Sequence, residues 1–89
     1  MELIIHFKAL PEGMDLEQMK RELDYVLDED GWLTGSGRTA EGGWVELELE
    51  DERQNPKYGI MAVKDYLIKA KFPAGTDIEI AGVAVAIYK

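Results

Sequence analysis

The chain has 89 residues, and its hydrophobic content of 46%, with two Trp, four Tyr and two Phe, is typical of one globular domain over residues 1–89. Acidic residues outnumber basic ones by 18 to 10, and the net charge of −8 argues against binding to a nucleic-acid backbone. The absence of cysteine excludes disulfides, thiolate nucleophiles and cysteine-ligated metals. Since no signal peptide or membrane-length apolar run is present, we expect a cytoplasmic protein that binds neither nucleic acid nor membrane.

The first two predicted elements are a strand and a helix. Apolar residues alternate over residues 2–8, which predicts a half-buried strand. A helix follows, because Asp15 can cap it and Gln18 stands three residues further on. Its apolar stripe recurs at three- and four-residue spacing: Leu16, Met19, Leu23, Val26 and Leu27. Gly31 is expected to end this helix as its C-cap.

A β-hairpin is predicted over residues 32–50, with a glycine-rich turn at residues 40–43. Its second arm alternates cleanly, with Val45, Leu47 and Leu49 facing inward and Trp44, Glu46, Glu48 and Glu50 facing outward. In the first arm, Gly35 and Gly37 fall in phase with Leu33 and leave no side chain where a helix should pack. Either a helix approaches closely there or the strand bulges.

The last third of the chain predicts a second helix and a C-terminal hairpin. Asn55 can cap the helix, and Pro56 suits its first position, where the missing amide proton costs nothing. The inner stripe of this helix is Ile60, Val63, Leu67 and Ala70. Residues 78–88 hold either one long strand or a hairpin about Ala81 and Gly82, and we favour the hairpin.

The element order β-α-β-β-α-β predicts an α+β, ferredoxin-like sandwich. Two helices cover one face of an antiparallel four-stranded sheet, and the C-terminal hairpin would add a further strand. Residues 31–37, 45–50 and 72–76 resemble those of small acidic bacterial proteins of unassigned role, which share a glycine-rich second strand, an acidic third strand and a Pro-x-Gly turn before the last strand. This resemblance implies the fold and carries no activity.

Several short patterns resemble catalytic or metal-binding motifs and are better explained by structure. Residues 35–40 match a dinucleotide fingerprint, but a turn and a strand follow instead of a helix. Ser36 lacks the flanking glycines of a nucleophile elbow, and His6 has no second imidazole or nucleophile nearby in sequence. The acids of residues 28–31 miss the register of a calcium loop, so we expect solvated acid there, with weak divalent binding by this cluster or by residues 50–52 as the alternative. The sequence predicts no enzyme, cofactor or metal site.

Charge is distributed unevenly along the chain. Residues 15–30 carry seven acids and two bases, and residues 41–53 carry six acids and one base. Residues 55–71 instead carry four bases and one acid. On the predicted sandwich, the strand glutamates would project from the face without helices, beside Thr34, Ser36 and Arg38.

We therefore expect a non-enzymatic interaction module that docks on a basic protein surface, as an inhibitor or immunity-type protein would. The expected partner-binding residues are Trp32, Arg38, Trp44, Glu46, Glu48 and Glu50. The plainest alternative is that the acids serve solubility and prevent edge pairing. Another alternative is a self-associating regulatory module, a homodimer that binds a small ligand between protomers, with residues 83–88 at the interface.

Overall fold

A computed structural model of the chain describes residues 1–88. Its helices and strands are β1 (Glu2–Phe7), α1 (Leu16–Leu27), β2 (Gly31–Thr39), β3 (Gly42–Leu49), α2 (Pro56–Lys69), β4 (Asp77–Ile80) and β5 (Val83–Ala86). The strands form one antiparallel sheet in the order β2-β3-β1-β4-β5. The fold is therefore α+β, with two helices and a five-stranded open sheet, and it is compatible with a ferredoxin-like arrangement.

Both predicted helix starts are confirmed. The backbone N–H of Gln18 donates to Asp15 Oδ1 at 2.8 Å, which caps α1. The backbone N–H of Lys57 donates to Asn55 Oδ1 at 3.0 Å, and Pro56 is the first residue of α2. These bonds satisfy amide groups that have no partner within the helix itself.

The predicted end of α1 is wrong. The helix ends at Leu27, and its C-cap is Asp28, which has a φ of 48°. Asp28 is also the first residue of a single 3-10 turn, Asp28–Asp30. Gly31 instead begins β2, where a Cβ would lie 2.6 Å from the carbonyl oxygen of Glu48. This glycine serves the close approach of two strands and does not cap the helix.

The hydrophobic core lies between the two helices and one face of the sheet. Its buried side chains are Leu3, Ile5, Phe7, Met19, Leu23, Leu27, Val45, Leu47, Leu49, Val63, Leu67, Phe72, Ile78 and Ile87. The predicted stripes supply the helical members of this set, with Leu16, Ile60 and Ala70 partly buried beside them. Val26, which was expected in the α1 stripe, is exposed.

A bulge in β2 changes which face its side chains occupy. The pairing with β3 shifts between Leu33 and Gly35. Because a shift of one residue turns every following side chain to the other face, Gly35 lies opposite Glu46 and Gly37 opposite Trp44 on the face without helices. The expectation that these glycines face the helices is wrong, and the alternative, a bulge in β2, is confirmed.

The predicted C-terminal hairpin is confirmed. Ala81 and Gly82 form its turn with φ values of 53° and 81°, the positive pair that a type I′ turn requires. After β5, the chain returns to the core, where Ile87 is buried. The hydroxyl of Tyr88 donates to the carbonyl oxygen of Phe72 at 2.5 Å. β5 is therefore an edge strand that is fixed by the hairpin turn before it and by the contacts of Ile87 and Tyr88 after it.

A hydrogen bond between the helices makes stability depend on pH. The Tyr66 hydroxyl donates to Glu22 Oε1 at 2.6 Å, and this bond, followed by one from Gln18, lowers the pKa of the Glu22 carboxyl from its ordinary value of 4.5. A lowered folded-state pKa adds stability that is present above pH 4.5 and lost as the pH falls through the folded value. We expect Tyr66→Phe to cost about 1 kcal/mol at pH 7. Urea unfolding should show that this difference in the free energy of unfolding between the variant and the wild type becomes smaller in acid.

Tyr25→Phe is the matched control for this prediction, because the Tyr25 side chain is 78% exposed on α1, the helix that also carries Glu22. It should leave stability unchanged at every pH. If Tyr66→Phe lowered the free energy of unfolding equally at pH 3 and pH 7, the ionised Glu22 carboxylate would not be the source of the stability that the Tyr66 hydroxyl provides.

Candidate functional site

In the part of the chain that the structure describes, one face of the sheet carries no helix, and it is called here the open face. Strand pairing places on it Glu2, Ile4 and His6 of β1, Trp32 of β2, Trp44, Glu46 and Glu48 of β3, Asp77 and Glu79 of β4, and Ala84 and Ala86 of β5. Five of these side chains are carboxylates, and none is a lysine or arginine. The open face is therefore a continuous acidic surface.

The centre of the open face is an apolar residue between two acids. Ile4 lies directly opposite Glu46 on one side and Glu79 on the other. With strands about 4.8 Å apart, the two acidic positions are separated by about 10 Å. This separation is close to the screening length in dilute salt, so their potentials add above the sheet.

Some of these carboxylates have basic neighbours and others do not. The terminal ammonium of Met1 donates to Glu48 Oε1 at 2.9 Å, and this bond raises the pKa of the ammonium. Glu79 Oε1 lies 3.1 Å from His6 Nε2. Within residues 1–88, three open-face carboxylates form no salt bridge of any kind: Glu2, Glu46 and Asp77.

The two tryptophans on the open face differ in exposure. Trp32 lies opposite Glu48 at the edge of the sheet and is 49% exposed. Trp44 is half-buried, because its ring lies across Gly37 on the neighbouring strand, in space that a Cβ would fill. Trp32 is therefore the aromatic side chain available to a partner, whereas Trp44 forms part of the surface itself.

The contact between the Trp44 ring and Gly37 gives a direct prediction. Gly37→Ala should displace the Trp44 ring, shift its fluorescence to longer wavelength and cost about 1–2 kcal/mol, because the new Cβ would overlap ring carbons. Both measurements belong in a Trp32→Phe background, so that a single indole emits.

The control for this prediction is Gly35→Ala, on the same face of the same strand. Its Cβ would lie 3.7 Å from Glu46 Oε2, an ordinary contact. This variant should keep the emission of the parent protein. Equal spectra for the Gly37 and Gly35 variants would show that the ring does not rest on Gly37.

Two expected partner-binding residues lie away from the open face. Arg38 stands on the helix side, with its Cζ 5.9 Å from the centre of the Phe7 ring, because the bulge in β2 reverses its phase. Glu50 follows the end of β3, and its Oε1 accepts the backbone N–H groups of Glu52 and Arg53. Glu50 therefore orders the loop that leads to α2.

The other side chains expected beside the glutamates are also displaced. Ser36 lies opposite the buried Val45, on the helix side of β2. Thr34 sits within the bulge itself. The expected row of Thr34, Ser36 and Arg38 beside the strand glutamates is therefore wrong.

The structure adds acids that sequence reasoning did not place on this face. Asp77 and Glu79 of β4 lie opposite His6 and Ile4, across the sheet from the glutamates of β3. Their alternation with Ile78 and Ile80 was the available signal. Alternation shows that two acids share a face, but not which strand they pair with.

A shallow cleft of about 270 Å³ lies at one end of the open face. Its lining includes His6, Lys8, Glu41, Trp44, Gly75 and Asp77. The two carboxylates, Glu41 and Asp77, outnumber the one lysine, Lys8, and beside the Trp44 indole they can receive a guanidinium or ammonium group through charge-assisted hydrogen bonds and a cation–π contact. The cleft is therefore of a kind that suits one cationic side chain.

Among residues 1–88, no group of three His, Asp or Glu side chains is arranged to hold a metal ion. In the same part of the chain, no helix is long and apolar enough to cross a membrane. No protein-family model, curated protein or solved structure matches the chain.

Proposed function

We propose that the protein is a non-enzymatic interaction module whose open face docks on a basic surface of another protein. The observation that carries the proposal is the gathering of five carboxylates, from three adjacent strands, on a sheet face without lysine or arginine. A cytoplasmic setting suits a chain without cysteine. An inhibitor or immunity-type protein that covers a basic binding site would need such a surface.

The acidic side chains would act mainly on the encounter with the partner. Like charges held on a rigid sheet produce a potential that extends beyond the surface and speeds association with a basic protein. The same repulsion opposes contact with acidic proteins, which gives selectivity. Both effects weaken as salt rises.

The lifetime of the complex would depend on burial rather than on charge. Trp32 offers an exposed indole at the edge of the open face, next to Glu48. Exposed tryptophans that become buried are common sites of large binding energy. The cleft beside Trp44 and Asp77 would receive an arginine or lysine of the partner.

The fold suits this use, because its helices leave one sheet face uncovered. We infer a ferredoxin-like sandwich formed by β2, β3, β1 and β4, with β5 as an added edge strand. The strand order and the antiparallel pairing support this assignment. Residues on the open face can then vary without disturbing the core on the other side of the sheet.

Affinity capture from a lysate of the source organism tests the proposal. Tagged wild-type protein is compared at low and moderate salt with a variant that removes three open-face charges: Glu46→Gln, Glu48→Gln and Glu79→Gln. The control variant removes three exposed charges elsewhere, through Glu12→Gln, Asp24→Asn and Glu29→Gln. Both variants carry the same net charge.

We expect a basic protein to be retained by the wild type and the control, and to be lost with the open-face variant. Moderate salt should weaken its retention. Equal loss with both variants would mean that net charge alone recruits the partner, and it would refute docking by the open face.

A further inference from the structure

We infer that β5 is a self-pairing edge, through which a second copy of this chain joins the sheet. All four residues of β5 are exposed, including Val83 at 62% and Val85 at 38%. The strand therefore contributes little to the core, and among residues 1–88 its backbone pairs on one side only, with β4. An apolar strand with an open edge is a template for another strand.

The two edges of the sheet differ in how they are protected. At the far edge, β2 is interrupted by a bulge and carries Arg38, two features that discourage edge pairing. β5 is regular from Val83 to Ala86 and contains no proline and no charged side chain. Each of the other four strands contains at least one charged residue. Only one edge of the sheet is thus open to pairing.

The turn geometry shows which backbone groups are available. In a two-residue hairpin, the residues that flank the turn, Ile80 and Val83, bond to each other, and bonded pairs then alternate along the strands. The N–H and C=O groups of Ala84 and Ala86 consequently point away from β4. Pairing Ala84 with Ala86 of a second copy satisfies these groups in both chains and sets Val85 beside its own counterpart.

Charge opposes a second copy less at this edge than at the open face. Two molecules of net charge −8 repel each other, but β5 carries no charged side chain, whereas the open face carries five carboxylates. The nearest strand acids, Asp77 and Glu79, lie on β4. In the joined sheet, the two β4 strands would be about 14 Å apart, which exceeds the screening length of about 8 Å at physiological salt.

A two-fold axis normal to the sheet relates the copies in this pairing. Both open faces then lie on the same side of a continuous ten-stranded sheet. The association itself does not depend on the proposed function, since β5 contributes only two alanines to the open face.

Sedimentation equilibrium from about 10 µM to about 1 mM tests this inference. We expect the apparent mass of the wild type to rise from 10.0 kDa toward twice that value. Val83→Lys should remain monomeric, because it places a charge beside the pairing edge. The control Thr34→Lys adds the same charge at the β2 edge and should associate as the wild type does.

Ala84→Pro provides a second test, because it removes an outward N–H without breaking a bond to β4. It should also abolish association, while circular dichroism reports an unchanged fold. A wild type that stays monomeric at about 1 mM would overturn the inference. So would association that survives Val83→Lys or that Thr34→Lys abolishes equally.

Discussion

Replacing Gly42 with alanine is expected to lower the free energy of unfolding by about 3 kcal/mol or more. Gly42 begins β3 after the two-residue turn Ala40–Glu41, with a φ of 151° that side chains disfavour. An added Cβ would overlap the carbonyl oxygen of Phe7 and lie 2.8 Å from Lys8 Cα. Because these are backbone atoms at the end of β1 and just after it, they cannot move aside as a side chain can. Thermal unfolding should show a midpoint lower by roughly 15 °C.

The control for this prediction is Gly82→Ala, which makes the same chemical change at another positive φ. Gly82 has a φ of 81°, and among residues 1–88 no atom beyond its chain neighbours lies within 4 Å of the position that its Cβ would take. Its cost should be close to that of the backbone conformation alone, about 1 kcal/mol. Equal losses for the two variants would contradict the close approach of β3 to β1 at Gly42.

The largest effect on binding is expected from reversing charge at the centre of the open face. Glu46→Lys with Glu48→Lys should weaken binding of the basic partner by about 100-fold at low salt, since two attractions become repulsions. The loss should appear mainly in the association rate and shrink as salt rises. Stopped-flow kinetics at several salt concentrations measures both quantities.

Asp24→Lys with Glu29→Lys is the matched reversal for this experiment. Both residues are exposed, and they lie on α1 and in the turn that follows it, away from the open face. The control makes the same change in net charge and should reduce the association rate only slightly. Equal effects of the two reversals would show that the partner responds to the whole molecule.

Local sequence signals predicted the elements well, because their physical causes lie within a few residues. The caps at Asp15 and Asn55 each satisfy amides on the next turn of their own helix. The alternation of β3 around Val45 and Leu47 directly reflects one buried and one open face. The turn at Ala81 and Gly82 follows from the glycine between two apolar runs.

The β2 bulge could not be located from the sequence. Gly35 and Gly37 weaken the alternation there, so no side-chain period marks the residue at which the phase changes. The bulge depends on pairing with β3, which is non-local. Arg38 was consequently placed on the wrong face.

The extent of the candidate site was underestimated for a similar reason. Glu46 and Glu48 were recognised within one strand, whereas Asp77 and Glu79 join them only through the strand order. Strand order depends on how both helices pack on the sheet, and no short segment encodes it. The exposed indole of Trp32 was expected at this face, and its position opposite Glu48 agrees with that expectation.

The most direct test of the acidic docking surface is amide chemical-shift mapping during titration with a lysine- and arginine-rich peptide. We predict shifts at open-face positions, including Ile4, His6 and Glu46, and at the Trp32 indole N–H, all of which diminish as salt rises. Residues 15–30 carry more acids than the open face and serve as the internal comparison. Shifts concentrated in residues 15–30, with the open face unchanged, would contradict the account.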